Sequence, residues 1–155
     1  MSRAFVKEAE EGEAYEDLPD RPVSPHPNLV TPEGLAQIEA AFERWHDEHA
    51  AALEAEDKAE IAQTRRELRY WTARRATAEL VPPQIRHDEV RFGSTVTIER
   101  GDGRQQSWRL VGEDEAEPAQ GTLPYVAPLA RALMGRSVGD QAAIGTETVT
   151  IVAIA

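Results

Sequence analysis

Two runs of buried-type residues, spaced alternately three and four apart, constrain this chain more than any other feature. The first run is Leu35, Ile38, Phe42, Trp45, His49 and Ala52; the second is Ile61, Thr64, Leu68, Trp71, Arg75 and Ala78. Each spacing lays its members along one stripe of an α-helix, the heptad seam of a coiled coil. The seams mirror each other. Setting Ala52 against Ile61, His49 against Thr64, Trp45 against Leu68, Phe42 against Trp71, Ile38 against Arg75 and Leu35 against Ala78 gives numbers that always sum to 113. A constant sum is the register of an antiparallel helical hairpin, and it puts the fold-back between Glu56 and Asp57, inside "ALEAEDKAEIA". No glycine, proline or asparagine marks a turn there, so one continuous helix through residue 80 is the alternative. Such a helix leaves Phe42, Trp45 and Trp71 in need of an intermolecular partner. Arg75 and His49 are expected to send their polar ends to solvent.

The ends of the hairpin carry their own signals. In "TPEG", Thr31 suits the capping position, Pro32 the first helical position, and Glu33 the positive end of the helix dipole. The first helix is expected from about Thr31 to Ala55, and the second to about Leu80, before "VPP" stops it at Val81. Beyond "QIRHDE" the texture becomes β-like. "TVTIE" and "QQSWRLVG" alternate around the turn "RGDGR" as a β-hairpin, "TLPYV" is a further short strand, "APLARALMG" a short helix, and "ETVTIVAI" an apolar strand. The fold class is therefore α+β. It is divided as an acidic, proline-rich extension over 1–30, disordered or extended; an antiparallel coiled coil over 31–81; and an antiparallel β domain with one short helix over 84–155.

Charge narrows the function classes. The 155 residues hold 28 acids against 17 bases, a formal charge of −11, and seven of the acids fall between Glu8 and Asp20 with no base among them. A bare phosphate backbone would be repelled, so nucleic acid is disfavoured as a direct partner. There is no cysteine, which removes disulfides, thiolate metal sites and cysteine nucleophiles and fits a reducing cytoplasm. No run reaches the apolar length of a membrane span, and "MSRAFVKEAEEG" has no apolar signal core. A cytoplasmic monomer is the expectation.

Four acids, Glu54, Glu56, Asp57 and Glu60, cluster at the fold-back. They are either solvated surface or carboxylates presented to another site. His46 and His49 in "HDEH" have one-turn spacing but no specified third ligand, so no metal or other cofactor is assigned to the chain itself. Lys58, Arg65, Arg66, Arg69 and Arg74 make the second helix locally basic, either to attract RNA or an acidic partner surface or, more simply, to offset acids on the first.

"VRFGSTVTIERGDGRQQSWRLVGEDEAEP" followed by "VAPLARALMGRSVGD" resembles the C-terminal domain of the bacterial GreA/GreB transcription elongation factors, and "RELRYWTARRATAELV" resembles the second helix of the GreB coiled coil. "SRAFVKE" and "LPDRPVSPHPNLVTPEGL" are similar to a subgroup with an N-terminal extension. The resemblance implies an FKBP-like C-terminal domain that grips the rim of the RNA polymerase secondary channel, and a coiled coil that enters the channel. It also implies that tip acids can help hold the second Mg²⁺ of the polymerase in trans, the polymerase remaining the enzyme. Nucleic acid would be met only inside the elongation complex. Ala127, Pro128 and Arg131 are the candidate polymerase contacts, with Ala127 where the family more often has serine. The family's cleavage signature, resembling Gly-Asp-x-Ser-Glu-Asn, is absent, and the mirrored register makes both arms several turns shorter. A short-armed, Rnk-like regulator without strong cleavage stimulation is the reading; a cleavage-stimulating factor is the alternative. Prolyl isomerisation, which an FKBP-like fold brings to mind, would have only Phe92, Trp108 and Tyr125 as aromatics for a proline pocket.

Overall fold

Residues 35–77 contain neither glycine nor proline, and over this stretch the chain folds into two helices. The computed structural model describes residues 18–155. Its elements are β1 (Leu29–Val30), α1 (Pro32–Ala55), α2 (Lys58–Thr77), β2 (Glu79–Leu80), β3 (Thr95–Glu99), β4 (Gln105–Val111), a 3-10 turn (Pro118–Gln120), β5 (Thr122–Pro124), α3 (Pro128–Leu133), β6 (Gln141–Ile144) and β7 (Glu147–Ile154). Contacts group them into two compact units. One holds Ile38–Thr77 with the segment ending at Pro25; the other holds His26–Gln37 with Ala78–Ala155.

In the helical unit the chain reverses where the mirrored seams place the turn. Only Glu56 and Asp57 separate α1 from α2. Ile38, Ala52 and Thr64 of the seams are buried, while Phe42, Trp45, Leu68 and Trp71 are half-buried. One paired position is seen directly: His49 Nδ1 lies 2.9 Å from Thr64 Oγ1. His49 thus turns inward instead of carrying its polar end to solvent. Arg75 is exposed, as expected, with its guanidinium 4.4 Å from the Phe42 ring centre. Ala62 and Arg74 are buried although they lie off the seam.

In the other unit, five strands form a sheet in the order β5-β4-β3-β7-β6. The β3–β4, β3–β7 and β6–β7 pairs are antiparallel, and β4–β5 is parallel. Alternation in "TVTIE" buries Val96 and Ile98 on one face and leaves Thr95, Thr97 and Glu99 half-exposed. Those two side chains join Val90, Leu110, Val149 and Ile151 in a core completed by Ala130 and Leu133 of α3. Strand β6, "QAAI", has little β-propensity and is absent from the sequence expectation; pairing with β7 supplies what its composition lacks.

A further expectation is corrected. The second helix ends at Thr77, not Leu80, because Glu79–Leu80 pairs in parallel with Leu29–Val30. The Glu79 N–H donates to the Asn28 carbonyl at 2.8 Å and the Val81 N–H to the Val30 carbonyl at 2.9 Å. The same pairing makes Leu29–Val30 a short strand, at the end of the segment expected to be disordered or extended. Further upstream, Arg69 meets Asp20 at 3.0 Å, and Arg21 meets Glu67 at 2.7 Å while its guanidinium sits 3.8 Å from the Tyr70 ring centre. Residues 18–30 are therefore laid down by long-range contacts that composition does not encode. The rest of the expected extension, 1–17, lies outside the described residues.

Candidate interaction surfaces

The hairpin tip is closed by backbone geometry that normally calls for glycine. Glu56 has φ 54°, the left-handed conformation, and it ends α1 in a paired cap. Its N–H donates to the Leu53 carbonyl at 3.2 Å, and the Asp57 N–H reaches the Ala52 carbonyl at 3.3 Å. This is the Schellman arrangement, with glutamate where glycine is usual. Asp57 then starts α2, its Oδ1 accepting the Glu60 N–H at 3.2 Å. All four predicted tip residues, Glu54, Glu56, Asp57 and Glu60, are exposed, and one carboxylate among them serves as a helix cap.

Among the described residues, no group of three or more His, Asp or Glu side chains is placed to hold a metal ion. His46 and His49 do not converge. His46 is exposed beside Asp47, and His49 is engaged with Thr64. The Thr64 hydroxyl donates to the Glu60 carbonyl at 2.7 Å, so His49 Nδ1 is the donor toward Thr64. Burial, followed by the positive field of Arg65 and then His46, holds the His49 pKa below the usual imidazole value.

The second surface surrounds α3. Ala127 precedes the helix in an extended conformation, its carbonyl accepting the Arg131 N–H at 2.9 Å. Pro128, at the start of the helix, loses no intrahelical hydrogen bond there. Pro128 and Arg131 are exposed and Ala127 is half-buried, so the structure brings these three predicted residues onto one short segment. Arg131 Nη2 lies 3.2 Å from His26 Nε2, and the Tyr125 hydroxyl donates to the Pro27 carbonyl. Together they border a cavity of about 250 Å³ lined by His26, Pro27, Tyr125, Val126, Arg131 and Met134. Tyr125 also meets Phe92 edge-on, with ring centres 5.5 Å apart, whereas Trp108 packs against the sheet core.

Sequence reasoning missed His26 and Pro27 because nothing local links them to α3, 105 residues away. It also missed Glu115. That carboxylate accepts the Thr31 hydroxyl, the Thr31 N–H at 3.1 Å and the Gly112 N–H at 3.2 Å. Thr31 in turn caps α1 by accepting the Gly34 N–H at 3.0 Å. Farther along α1, Glu33 faces Arg109, and its pKa is lowered first by its own backbone hydrogen bond, then by Thr31 and Arg109.

Residues 85–155 match the family model described as "Transcription elongation factor, GreA/GreB, C-term". Transcription elongation factor GreB of Neisseria meningitidis serogroup A is 41% identical over 83 residues, 52% of this chain and 51% of that protein. Transcription elongation factor GreA of Chloroflexus aggregans is 31% identical over 143 residues, covering 77% of this chain and 89% of the relative. GreA of Desulfovibrio desulfuricans is 30% identical over 116 residues, covering 73% and 70%. The chain spans about half the length of the GreB relatives it matches. Among solved structures, GreA factor homolog 1 of Thermus thermophilus aligns over 84% of this chain and 99% of its own, at 19% identity and a TM-score of 0.41. No helix among the described residues is long and apolar enough to cross a membrane.

Proposed function

Because the chain belongs to the GreA/GreB family of transcription elongation factors, we propose that it binds bacterial RNA polymerase at the secondary channel and regulates elongation in the cytoplasm, without strong stimulation of transcript cleavage. The region 84–155 grips the channel rim, with Ala127, Pro128 and Arg131 at the contact, and the hairpin of 31–81 points into the channel. The protein is a regulator, and any RNA hydrolysis belongs to the polymerase.

The observation that carries the weak-cleavage reading is the tip. Helix α1 has 24 residues, so the arm extends roughly 36 Å at 1.5 Å per residue. It turns at Glu56 without the family's cleavage signature. A carboxylate must lie within about 2.1 Å of Mg²⁺ to act as its ligand, and an arm several turns short leaves it many ångströms away. Asp57, moreover, is engaged as a helix cap. The alternative assigns Glu54, Glu56, Asp57 and Glu60 to holding the polymerase's second Mg²⁺ in trans.

A transcript-cleavage assay on a backtracked elongation complex separates the two. The expected result is little cleavage by the intact protein, together with competition against an authentic Gre factor for the channel. Strong cleavage that disappears when the four acids are changed to alanine would establish the alternative.

A further inference from the structure

We propose that His26 and Pro27, with Tyr125, Val126, Arg131 and Met134, form a docking pocket for an acidic peptide segment flanked by apolar side chains, making the strap before β1 a working half of the α3 surface. The proposal rests on the reading that α3 faces the polymerase, and it adds the chemistry of what that surface accepts. Two walls distant in sequence border the cavity, which opens to the surface. The first is the strap, held by the Tyr125 hydroxyl on the Pro27 carbonyl and followed at once by the β1–β2 pairing. The second is the segment around α3, where Tyr125 is fixed by its N–H on the Val111 carbonyl at 2.9 Å and by its edge against Phe92.

Charge selects the occupant. Among the described residues no carboxylate lines the cavity, although the chain carries 28 acids and a net charge of −11. Its polar edge is instead the Arg131 guanidinium and the His26 imidazole. A guanidinium has five N–H donors, and the His26 contact uses one; the others form a fork that matches a carboxylate. Pro27, Val126, Met134 and the Tyr125 ring supply the apolar floor, and methionine adapts its shape to the side chain it meets. The rest of this acidic surface repels an acidic segment, so the pocket is a local exception with a defined preference.

The full chain, isotopically labelled, is titrated with a capped peptide Gly-Leu-Glu-Leu-Glu-Gly, and with versions carrying lysine for glutamate or serine for leucine. The acidic apolar peptide is expected to shift the amide signals of His26, Val126, Arg131 and Met134, with little response to the other two. Arg131→Glu and His26→Asp should each weaken binding about tenfold, because the first reverses the charge and the second supplies a carboxylate that pairs with Arg131 itself. Both positions lie at the surface, and thermal unfolding of each variant verifies its fold. Shifts elsewhere, equal shifts with the lysine peptide, or indifference to His26→Asp would overturn the composite pocket. Capture of core RNA polymerase by the same variants separates this from the functional reading. Peptide binding that obeys these rules while Arg131→Glu captures polymerase undiminished supports the pocket and removes α3 from the polymerase contact.

Discussion

Glu115 holds Thr31 by both its backbone N–H and its hydroxyl, closing across 84 residues the cap that starts α1. In a capping box the glutamate sits three residues after the cap and reaches back to it. Here that position is Gly34, and a Cβ on it would overlap the Glu115 carboxylate. Glycine at this site thus makes room for a capping acid delivered from the loop after β4.

This relationship predicts a reversal of sign. Glu115→Ala should cost about 1 to 3 kcal/mol by leaving the Thr31 and Gly112 N–H groups without their acceptor. Gly34→Ala alone should also destabilise, by displacing the same carboxylate. In the Glu115→Ala background the space is free, and Gly34→Ala should become neutral or stabilising by up to about 1 kcal/mol through helix propensity. Urea unfolding of the four proteins in the cycle measures this; additive losses would refute it.

Glu56→Gly should stabilise the hairpin by about 1 kcal/mol, since glycine removes the left-handed penalty and loses only part of that gain to backbone entropy. Glu56→Val should destabilise it. Hydrogen exchange at α1 and α2 amides would register both changes.

The hairpin should also weaken in mild acid. His49 has a folded-state pKa below its unfolded value, so the unfolded chain binds the extra proton more readily. Its contribution is fully present above an unfolded pKa of about 6.5 and is lost as pH falls below it. Thermal unfolding at pH 7.5 and 5.5 should show a decline that shrinks in His49→Gln. An identical decline in both proteins would assign the effect to other groups.

Arg21 anchors the segment ending at Pro25 on α2 through Glu67 and the face of Tyr70. Arg21→Ala should cost about 1 kcal/mol, and Arg21→Lys should recover only part of it, because an ammonium lacks the flat stacking surface. Asp20→Ala should change stability by less than about 0.5 kcal/mol, since the Asp20–Arg69 pair is open to solvent. Equilibrium unfolding of the three variants tests the order.

What the sequence by itself determined is local or periodic. The mirrored seams place the reversal at Glu56 and Asp57, the alternation of "TVTIE" selects the face that Val96 and Ile98 bury, and "APLARALMG" forms the short helix that carries Arg131. Those signals repeat along the chain, so neighbouring residues reinforce one another. Tertiary structure alone decided that Glu79–Leu80 leaves the helix to pair with Leu29–Val30, that Glu115 caps Thr31, and that His26 and Pro27 stand beside Arg131. Each of these is a contact between residues tens of positions apart, satisfied by backbone groups or a single side chain. It imposes no period and no composition on the residues between, and so leaves no mark until the chain has folded.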